Sequence, residues 1–319
     1  MATNAKKPRT GLCPADIMQD AREIHNMLWG IGNHCTHVPV PTPVSLMREH
    51  LALLHDKTYV VSEKNDGVRK QLLLASTEHG GVPYGIFVDR AWGLEVHKVQ
   101  VRKSSVFFKN GDPFDGTLFD GEWMSGGDGW PTFVVFDVVA VCGFDMKKKP
   151  FNTRLAIARD TINGLNIRGV RFTVKAWHPV SEAGEVWAKQ KQADGLVFMP
   201  LADPVGTGRH NTMFKYKSPE KHTLDFLYTA DGQFVYGEGA GEEKNVSEVG
   251  VQVKNPHGVE LCAGTVYECQ PRGGAKTFDV LEPRSDKTAP NHGRTVTLTL
   301  DTIREHLTPK ELLLRIKNE

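Results

Sequence analysis

Beyond Pro219 the chain breaks into short runs rich in β-branched and aromatic residues: Leu224–Thr229, Gln233–Tyr236, Ser247–Val253, Val259–Cys269 and Thr277–Leu281. Gly- and Asn-rich turns separate them. Five such strands in about 60 residues are too short and too closely spaced for crossover helices, and the compact solution is a small β-barrel of the oligonucleotide/oligosaccharide-binding (OB) type. This density divides the chain, because the 220 residues before it read differently. There Ile17, Ala21, Ile24 and Leu28 recur at helical spacing over Asp16–Leu28. Pro39, Pro41 and Pro43 impose an extended stretch, followed by a short helix over Leu46–Leu54. Strands are expected at Thr58–Val61, Val68–Ala75, Tyr84–Asp89, Thr117–Trp123, Thr132–Ala140, Gly195–Met199 and Thr212–Lys217. The segment Gly126-Gly127-Asp128-Gly129 forms a hairpin loop. Helices are expected at Asn152–Ile162 and Glu182–Lys191, and one or two more over Leu300–Ile316. The fold class is α+β: a mixed α/β domain over residues 1–220, completed by a helical segment at 300–319, and an OB-fold barrel over 221–299.

The 39 Lys and Arg nearly cancel the 38 Asp and Glu, for a net charge of +1. This excludes a polycation or an acidic tail protein but not a local basic groove. No apolar run reaches the ~18 residues of a membrane span. The polar start, with Lys6, Lys7 and Arg9, has no secretory apolar core behind it. Five irregularly spaced cysteines are not a disulfide framework. The expectation is a soluble protein of a reducing compartment, cytoplasm or nucleus.

The most informative residues are Lys64-Asn65-Asp66-Gly67-Val68-Arg69, of the form K-x-D-G-x-R. Read blandly, Asn65-Asp66-Gly67 is a β-turn between two strands, with Lys64 and Arg69 solvated beside it. Read chemically, Lys64 is a nucleophile. A lysine of ordinary pKa, about 10.4, is protonated at neutral pH. To attack phosphorus it must lose that proton, and nearby cations favour the neutral form. Arg69, Lys215, Lys217 and a carboxylate-held divalent metal could supply that charge, and Gly67 would let the backbone approach a phosphate.

Further motifs follow in order: Asp120-Gly121-Glu122 at a strand end, Asp194-Gly195-Leu196-Val197-Phe198 at a strand start, Phe214-Lys215-Tyr216-Lys217, and Arg284-Ser285-Asp286-Lys287-Thr288-Ala289-Pro290-Asn291. Together they resemble the covalent nucleotidyltransferase superfamily of polynucleotide ligases and mRNA capping enzymes. The ending R-x-D-K-x-x-P-N is similar to the signature of the capping guanylyltransferases. Tyr59–Lys64 and Phe133–Asp137 most resemble the small, monomeric viral forms, which would place the protein in a viral factory or virion. The resemblance spans residues 40–319.

The resemblance implies that Lys64 attacks the α-phosphate of GTP, expels pyrophosphate and carries GMP as a phosphoramidate. A 5′-diphosphate RNA then takes the GMP to give a GpppN cap. Arg69 and Arg90 would contact sugar or phosphates. Glu122 and Asp194 would serve a Mg²⁺ or Mn²⁺ ion, with Glu122 also on the nucleotide side. Phe136 would stack on guanine and Lys175 would meet base or phosphate. Lys215 and Lys217, two apart and so on one strand face, would hold the α-phosphate. Arg284, Asp286, Lys287 and Asn291 would close over the outer phosphates, with a hinge near Ser218–His222. Asn65 departs from the threonine common at its position. A separate RNA triphosphatase and cap methyltransferase would be partners, since 319 residues leave no room for them. No membrane partner is implied, and a monomer is.

Other features have plainer readings. His34-Cys35-Thr36-His37 lacks a second pair at zinc spacing and reads as a polar linker. Cys262 and Cys269 read as buried thiols. Gly206-Thr207-Gly208-Arg209-His210 lacks the Walker lysine and reads as a turn, with Arg209 a candidate RNA or phosphate contact. Lys147-Lys148-Lys149 reads as a solvated loop or an RNA-tracking patch. Two other functions compete: an ATP-dependent polynucleotide ligase, and an inactive RNA-binding relative. Against the latter, every ionisable group that the chemistry needs is present.

Overall fold

A computed structural model describes residues 15–32, 35, 38–76, 83–102, 105–189 and 194–317. His34 and His37 lie outside these residues, as does Lys191. The chain divides into two compact units: residues 1–44, 56–193 and 197–214 form the first, and 45–55, 194–196 and 215–319 the second.

The centre of the first unit is a seven-stranded sheet. Its main path runs Arg171–Val174, Thr132–Val141, Asp115–Met124, Val68–Ser76, Pro83–Asp89, Leu94–His97, with the short strand Phe144–Asp145 beside Thr132–Val141. Leu72, Leu73, Leu74 and Ala75 are all fully buried, so this strand is covered on both faces. Leu72 and Leu74 join Phe87, Phe119 and Phe133 under the helix Phe151–Ile162, which contributes Ile157, Ala158 and Ile162. Leu73 and Ala75 pack with Ile86, Leu118 and Ala140 under the helix Ala15–Trp29, which contributes Ala21, Leu28 and Trp29. Alternation along one strand thus feeds two cores.

A second, five-stranded sheet has the order Pro41–Ser45, Gly208–Tyr216, Leu196–Pro200, Tyr59–Glu63, His178–Pro179. Met199 and Met213 anchor it on Phe151 and Leu155. Arg154, 1 % exposed, makes a two-pronged ion pair with buried Asp137, at 2.8 and 2.9 Å. Burial raises the Asp137 carboxyl pKa against the pull of Arg154.

The second unit holds six strands in the order Glu242–Asn245, Phe234–Gly239, Leu224–Tyr228, Thr265–Pro271, Thr277–Pro283, Gln252–Lys254. The two outer strands do not pair with each other, so the ladders form an open path rather than the small β-barrel expected from the sequence. Local side-chain chemistry shortens two of the expected strands. The Asn245 side chain accepts the Ser247 N–H at 2.8 Å and starts a 3₁₀ turn over Val246–Val249, ended by Gly250 at φ +75°. This leaves Gln252–Lys254 of the expected Ser247–Val253. Asn255 brackets Val259 through both of its amide atoms, and the strand begins only at Thr265. Cys262 therefore lies outside the strand and is exposed; Cys269 is buried as expected.

Val296, Leu300 and Ile303 of the helix Gly293–Glu305 pack on Leu224, Phe226 and Phe278 in this unit's core. The final helix is Pro309–Lys317. Arg48 reaches its Glu311 at 2.6 and 2.7 Å and donates to the Glu305 carbonyl. These bonds tie the 3₁₀ segment Arg48–Leu53 to the end of the chain.

Candidate active site

Lys64 follows directly on the strand Tyr59–Glu63, and the next strand, Val68–Ser76, lies in the other sheet. The lysine motif is therefore a crossing between sheets rather than the turn of a hairpin. Gly67 is where the crossing lands. A Cβ there would stand 2.6 Å from both Met124 Sδ and the Trp123 carbonyl oxygen. A side chain would lift the loop off the end of the neighbouring strand, so glycine is required by contact.

Register places the next groups. Arg69 lies opposite Glu122, and Gln71 opposite Asp120, so these four side chains share one face of the seven-stranded sheet. Asp120, 1 % exposed, binds the Arg69 guanidinium through both oxygens, at 3.1 and 2.5 Å. A further Arg69 N–H donates to the Pro41 carbonyl at 2.6 Å. The ladder between Asp115–Met124 and Thr132–Val141 shifts between Asp120 and Gly121, leaving Phe136 without a cross-strand partner. Such a bulge re-aims a side chain. Here the Phe136 ring lies under Arg69, its centroid 5.2 Å from the guanidinium carbon. Burial pushes the Glu122 carboxyl pKa up, opposed by Arg69, Lys64, the Gly67 N–H and Lys175. Arg90 lies in the same field, within range of Arg69, Asp120 and Glu122.

Lys175 is held by its backbone N–H on the Val135 carbonyl at 2.8 Å. Its Nζ donates to Asn65 Oδ1. Burial pulls its pKa down to about 8, countered by Glu63 and Glu122 and assisted by Lys64. Asn65 and Lys175 line a cavity of about 360 Å³ with Ser62, Glu63, Val134 and His178. The structure thus brings Lys64, Arg69, Arg90, Glu122, Phe136 and Lys175 into one neighbourhood of the first unit.

The remaining sequence candidates lie in the second unit. Asp194 pairs with Lys217 at 2.5 Å. Between them Gly195 takes φ +151°, and a Cβ there would fall 1.9 Å from the Tyr216 carbonyl oxygen. Lys215 and Lys217 flank buried Tyr216, whose hydroxyl donates to the Leu307 carbonyl at 2.9 Å. His222 is pushed down to about 4 by burial first, then by Lys217 and Lys215.

The R-x-D-K-x-x-P-N segment folds around Asp225. Arg284 reaches Asp225 Oδ1 at 3.1 Å, and Lys287 reaches Oδ2 at 2.5 Å. Asn291 donates to Oδ2 at 3.3 Å. Asp286 holds the other side of Arg284 through two bonds of 2.9 Å. Among the described residues no three His, Cys, Asp or Glu side chains form a cluster able to hold a metal.

A family model, "mRNA capping enzyme, catalytic domain", matches residues 11–219, more than half of the 319. The chain belongs to this capping-enzyme family. Among its relatives, the mRNA-capping enzyme of Caenorhabditis elegans is 24% identical over 307 residues, a match covering 85% of this chain and 47% of that one. The mRNA-capping enzyme subunit alpha of Schizosaccharomyces pombe is 26% identical over 321 residues, covering 86% and 79%. The chain spans about half the length of the first relatives it matches, 47% and 54%. Among solved structures, a mycobacterial DNA ligase D complexed with ATP and MES aligns with a TM-score of 0.44 at 14% identity, over 78% of this chain and 95% of that one.

Several residues that organise this capping-enzyme chain escaped the sequence reading. Asp225 sits in an ordinary strand and carries no motif of its own. Asp120 was visible only as the start of Asp-Gly-Glu. The Asp137–Arg154 pair is separated by 17 positions and has no spacing rule. Only topology brings such partners together.

Proposed function

We propose that this chain is an mRNA guanylyltransferase that transfers GMP from GTP, through a lysyl-N-GMP intermediate on Lys64, to the 5′-diphosphate end of RNA. The observation that carries the reading is the convergence of Lys64 with Arg69, Glu122 and Lys175 at the crossing between two sheets, in a chain of the capping-enzyme family. In the first displacement Lys64 gives its ammonium proton to solvent and attacks as the amine; the Nζ–phosphorus bond forms as the bond to pyrophosphate breaks, and a second proton leaves the nitrogen to give the phosphoramidate. In the second, a terminal oxygen of the RNA diphosphate attacks the same phosphorus, the phosphorus–Nζ bond breaks, and the nitrogen takes a proton from solvent as the free lysine is restored. Both steps ask the protein chiefly for position and charge.

In this reading Lys175 and Asn65 face the base, while Arg69 and Arg90 meet the sugar and α-phosphate. Phe136 offers an aromatic face, which Arg69 would have to share with guanine. Lys215 and Lys217 would offset α-phosphate charge, and Arg284, Asp286, Lys287 and Asn291 would serve the outer phosphates. Glu122 or Asp194 would each offer a carboxylate to a Mg²⁺ or Mn²⁺ ion, which needs only one or two and completes its shell from substrate phosphates and water. Such an ion would supply charge neutralisation of the leaving pyrophosphate. The six-stranded sheet and its helix would correspond to an OB-type module over 221–299. RNA triphosphatase and cap methyltransferase activities would come from elsewhere, and a reducing compartment would suit the free thiols.

The test is to incubate the protein with GTP or ATP labelled at the α-phosphate, with Mg²⁺ or Mn²⁺, on a denaturing gel. The expected result is alkali-stable, acid-labile label from GTP, absent in Lys64→Ala. Label from ATP alone would assign the chain to the ligases, and no label from folded protein would favour the RNA-binding relative.

A further inference from the structure

Two sequence features outside the proposed active site, Lys147-Lys148-Lys149 and Arg209, which opens the strand Gly208–Tyr216 rather than lying in the expected turn, come together at one end of the five-stranded sheet. The Val205 N–H donates to the Lys147 carbonyl at 2.9 Å. Buried Arg154 donates to the carbonyls of Lys149, at 2.6 Å, and Asp203, at 3.4 Å. A third segment joins them, since the Leu201 N–H donates to the Thr58 carbonyl at 2.9 Å and the Leu201 carbonyl accepts the Phe151 N–H at 2.8 Å. Lys57 is thereby carried to the same rim.

Lys57, Lys148, Lys149 and Arg209 are all exposed. Among the described residues none of the four makes an ion pair. The three acids around them, Asp56, Asp145 and Asp203, are fewer than the five cations Lys57, Lys147, Lys148, Lys149 and Arg209, and each is held in place. Asp145 pairs with Lys147 at 3.4 Å, Asp56 accepts the Ser181 N–H at 2.8 Å, and Asp203 accepts the Thr212 hydroxyl at 2.5 Å. Beside the rim, Pro204, Val205, Thr207, Arg209, His210 and Asn211 line an open groove of about 330 Å³. In a chain of net charge +1, this is a local excess of cations held on a rigid buried strut.

We propose that this rim binds the phosphate backbone of single-stranded RNA downstream of its reacting 5′ end. The inference rests on the guanylyltransferase reading and extends it to the path of the acceptor. RNA is favoured over an acidic protein because the cations are separate, solvent-facing and spread along one rim, as successive phosphates of an extended backbone require. Lys64 lies six residues along the strand from Thr58, about 20 Å at strand rise. A stacked strand rises about 3.4 Å per nucleotide, so four nucleotides would not reach the rim and twenty would.

The experiment compares wild type with Lys57→Ala/Lys148→Ala/Lys149→Ala/Arg209→Ala. Binding of 5′-diphosphate RNAs of four and twenty nucleotides is measured from low to high salt, beside GTP labelling of Lys64. The expected variant labels as wild type does, which also shows that it folds, and binds the 4-mer equally. It binds the 20-mer about tenfold more weakly, and its slope of log K against log salt is shallower by about 2 to 3, at about 0.7 per lost phosphate contact. Unchanged affinity and slope for the 20-mer would overturn the proposal. So would tighter wild-type binding to polyaspartate of equal charge, which would assign the rim to an acidic protein. Binding and labelling are read separately, so failure of the GTP reaction would show as unlabelled wild-type protein.

Discussion

Asp225 and Asn291 grip each other twice, 66 positions apart: the Asp225 N–H donates to Asn291 Oδ1 at 2.9 Å, and the Asn291 N–H donates to the Asp225 carbonyl at 2.8 Å. The same aspartate carries Arg284 and Lys287 on its carboxylate. Removing that carboxylate leaves two cations beside a buried site, and breaking a buried pair costs about 3 kcal/mol. Asp225→Ala is expected to lower the free energy of urea unfolding by about that amount. A loss under about 0.5 kcal/mol would mean that Arg284 and Lys287 find other partners.

Asp120 and Arg69 form the corresponding pair near Lys64. In Asp120→Asn one carboxylate oxygen becomes a donor facing the guanidinium, and the two-pronged bond is lost. GTP labelling is expected to fall at least about tenfold, since misplaced positioning groups carry penalties of that size and more. Single-turnover labelling against GTP concentration would check it, and a wild-type curve would remove Arg69 from the nucleotide site.

Gly67→Ala tests the landing of the motif. Its Cβ would stand 2.6 Å from the Trp123 carbonyl, which is backbone and cannot turn aside. The expected result is a loss of labelling on the scale of Lys64→Ala, with a melting temperature only a few degrees lower, because the strain falls in a loop. Wild-type labelling would show that the loop has slack.

Lys175 gives a pH dependence. Its pKa is about 8 in the folded protein, against 10.5 for an unperturbed lysine. Below pH 8 both folded and unfolded chains carry the proton, and burying it destabilises the fold by about 3 kcal/mol. Between pH 8 and 10.5 the unfolded chain binds more protons, so this penalty is relieved as pH rises. Lys175→Met should therefore be more stable than wild type at pH 7, with the difference shrinking toward pH 10. If protonated Lys175 reads the base, the wild-type KM for GTP should also climb above pH 8. Parallel stability curves for the two proteins would contradict the assignment.

His25 has the complementary effect in acid. It is fully buried, its ring Nε2–H donates to Gln71 Oε1 at 2.5 Å, and burial lowers its pKa to about 4. The unfolded chain binds more protons between pH 4 and 6.5, so stability is lost as pH falls through that window. His222, also near 4, contributes in the same direction. Chemical denaturation at pH 7 and 4.5 should show a steep loss for wild type and a shallower one for His25→Gln. Equal slopes would mean that His25 does not titrate on unfolding.

The periodic parts of the fold were legible because one force sets them. The helix Ala15–Trp29 and the strands around Leu72 and Phe133 follow apolar spacing, and the structure has them within one or two residues of expectation. Side-chain bonds to backbone decided the failures. Asn245, Asn255 and Gly250 cut expected strands short, and no hydrophobic pattern registers an amide cap. The motif residues were legible as chemistry, but their partners were not. That Lys64 stands between two sheets and that Asp225 gathers Arg284, Lys287 and Asn291 depend on topology, which spacing along the chain does not encode.

The sheet crossing at residues 64–67 also bears on how this chain can vary in length. The hairpin loop at 125–131 could grow by several residues and leave its ladder intact. Residues 64–67 have no such freedom. One inserted residue would rotate Val68–Ser76 by half a pleat, taking Arg69 away from Asp120 and turning it toward Glu95, where Lys70 now pairs at 2.5 Å. Because the middle of that strand is apolar on both faces, its core would accept the slip and only the charges would object. Insertions and deletions at this step would therefore abolish chemistry before they abolish folding, yielding well-folded but silent proteins.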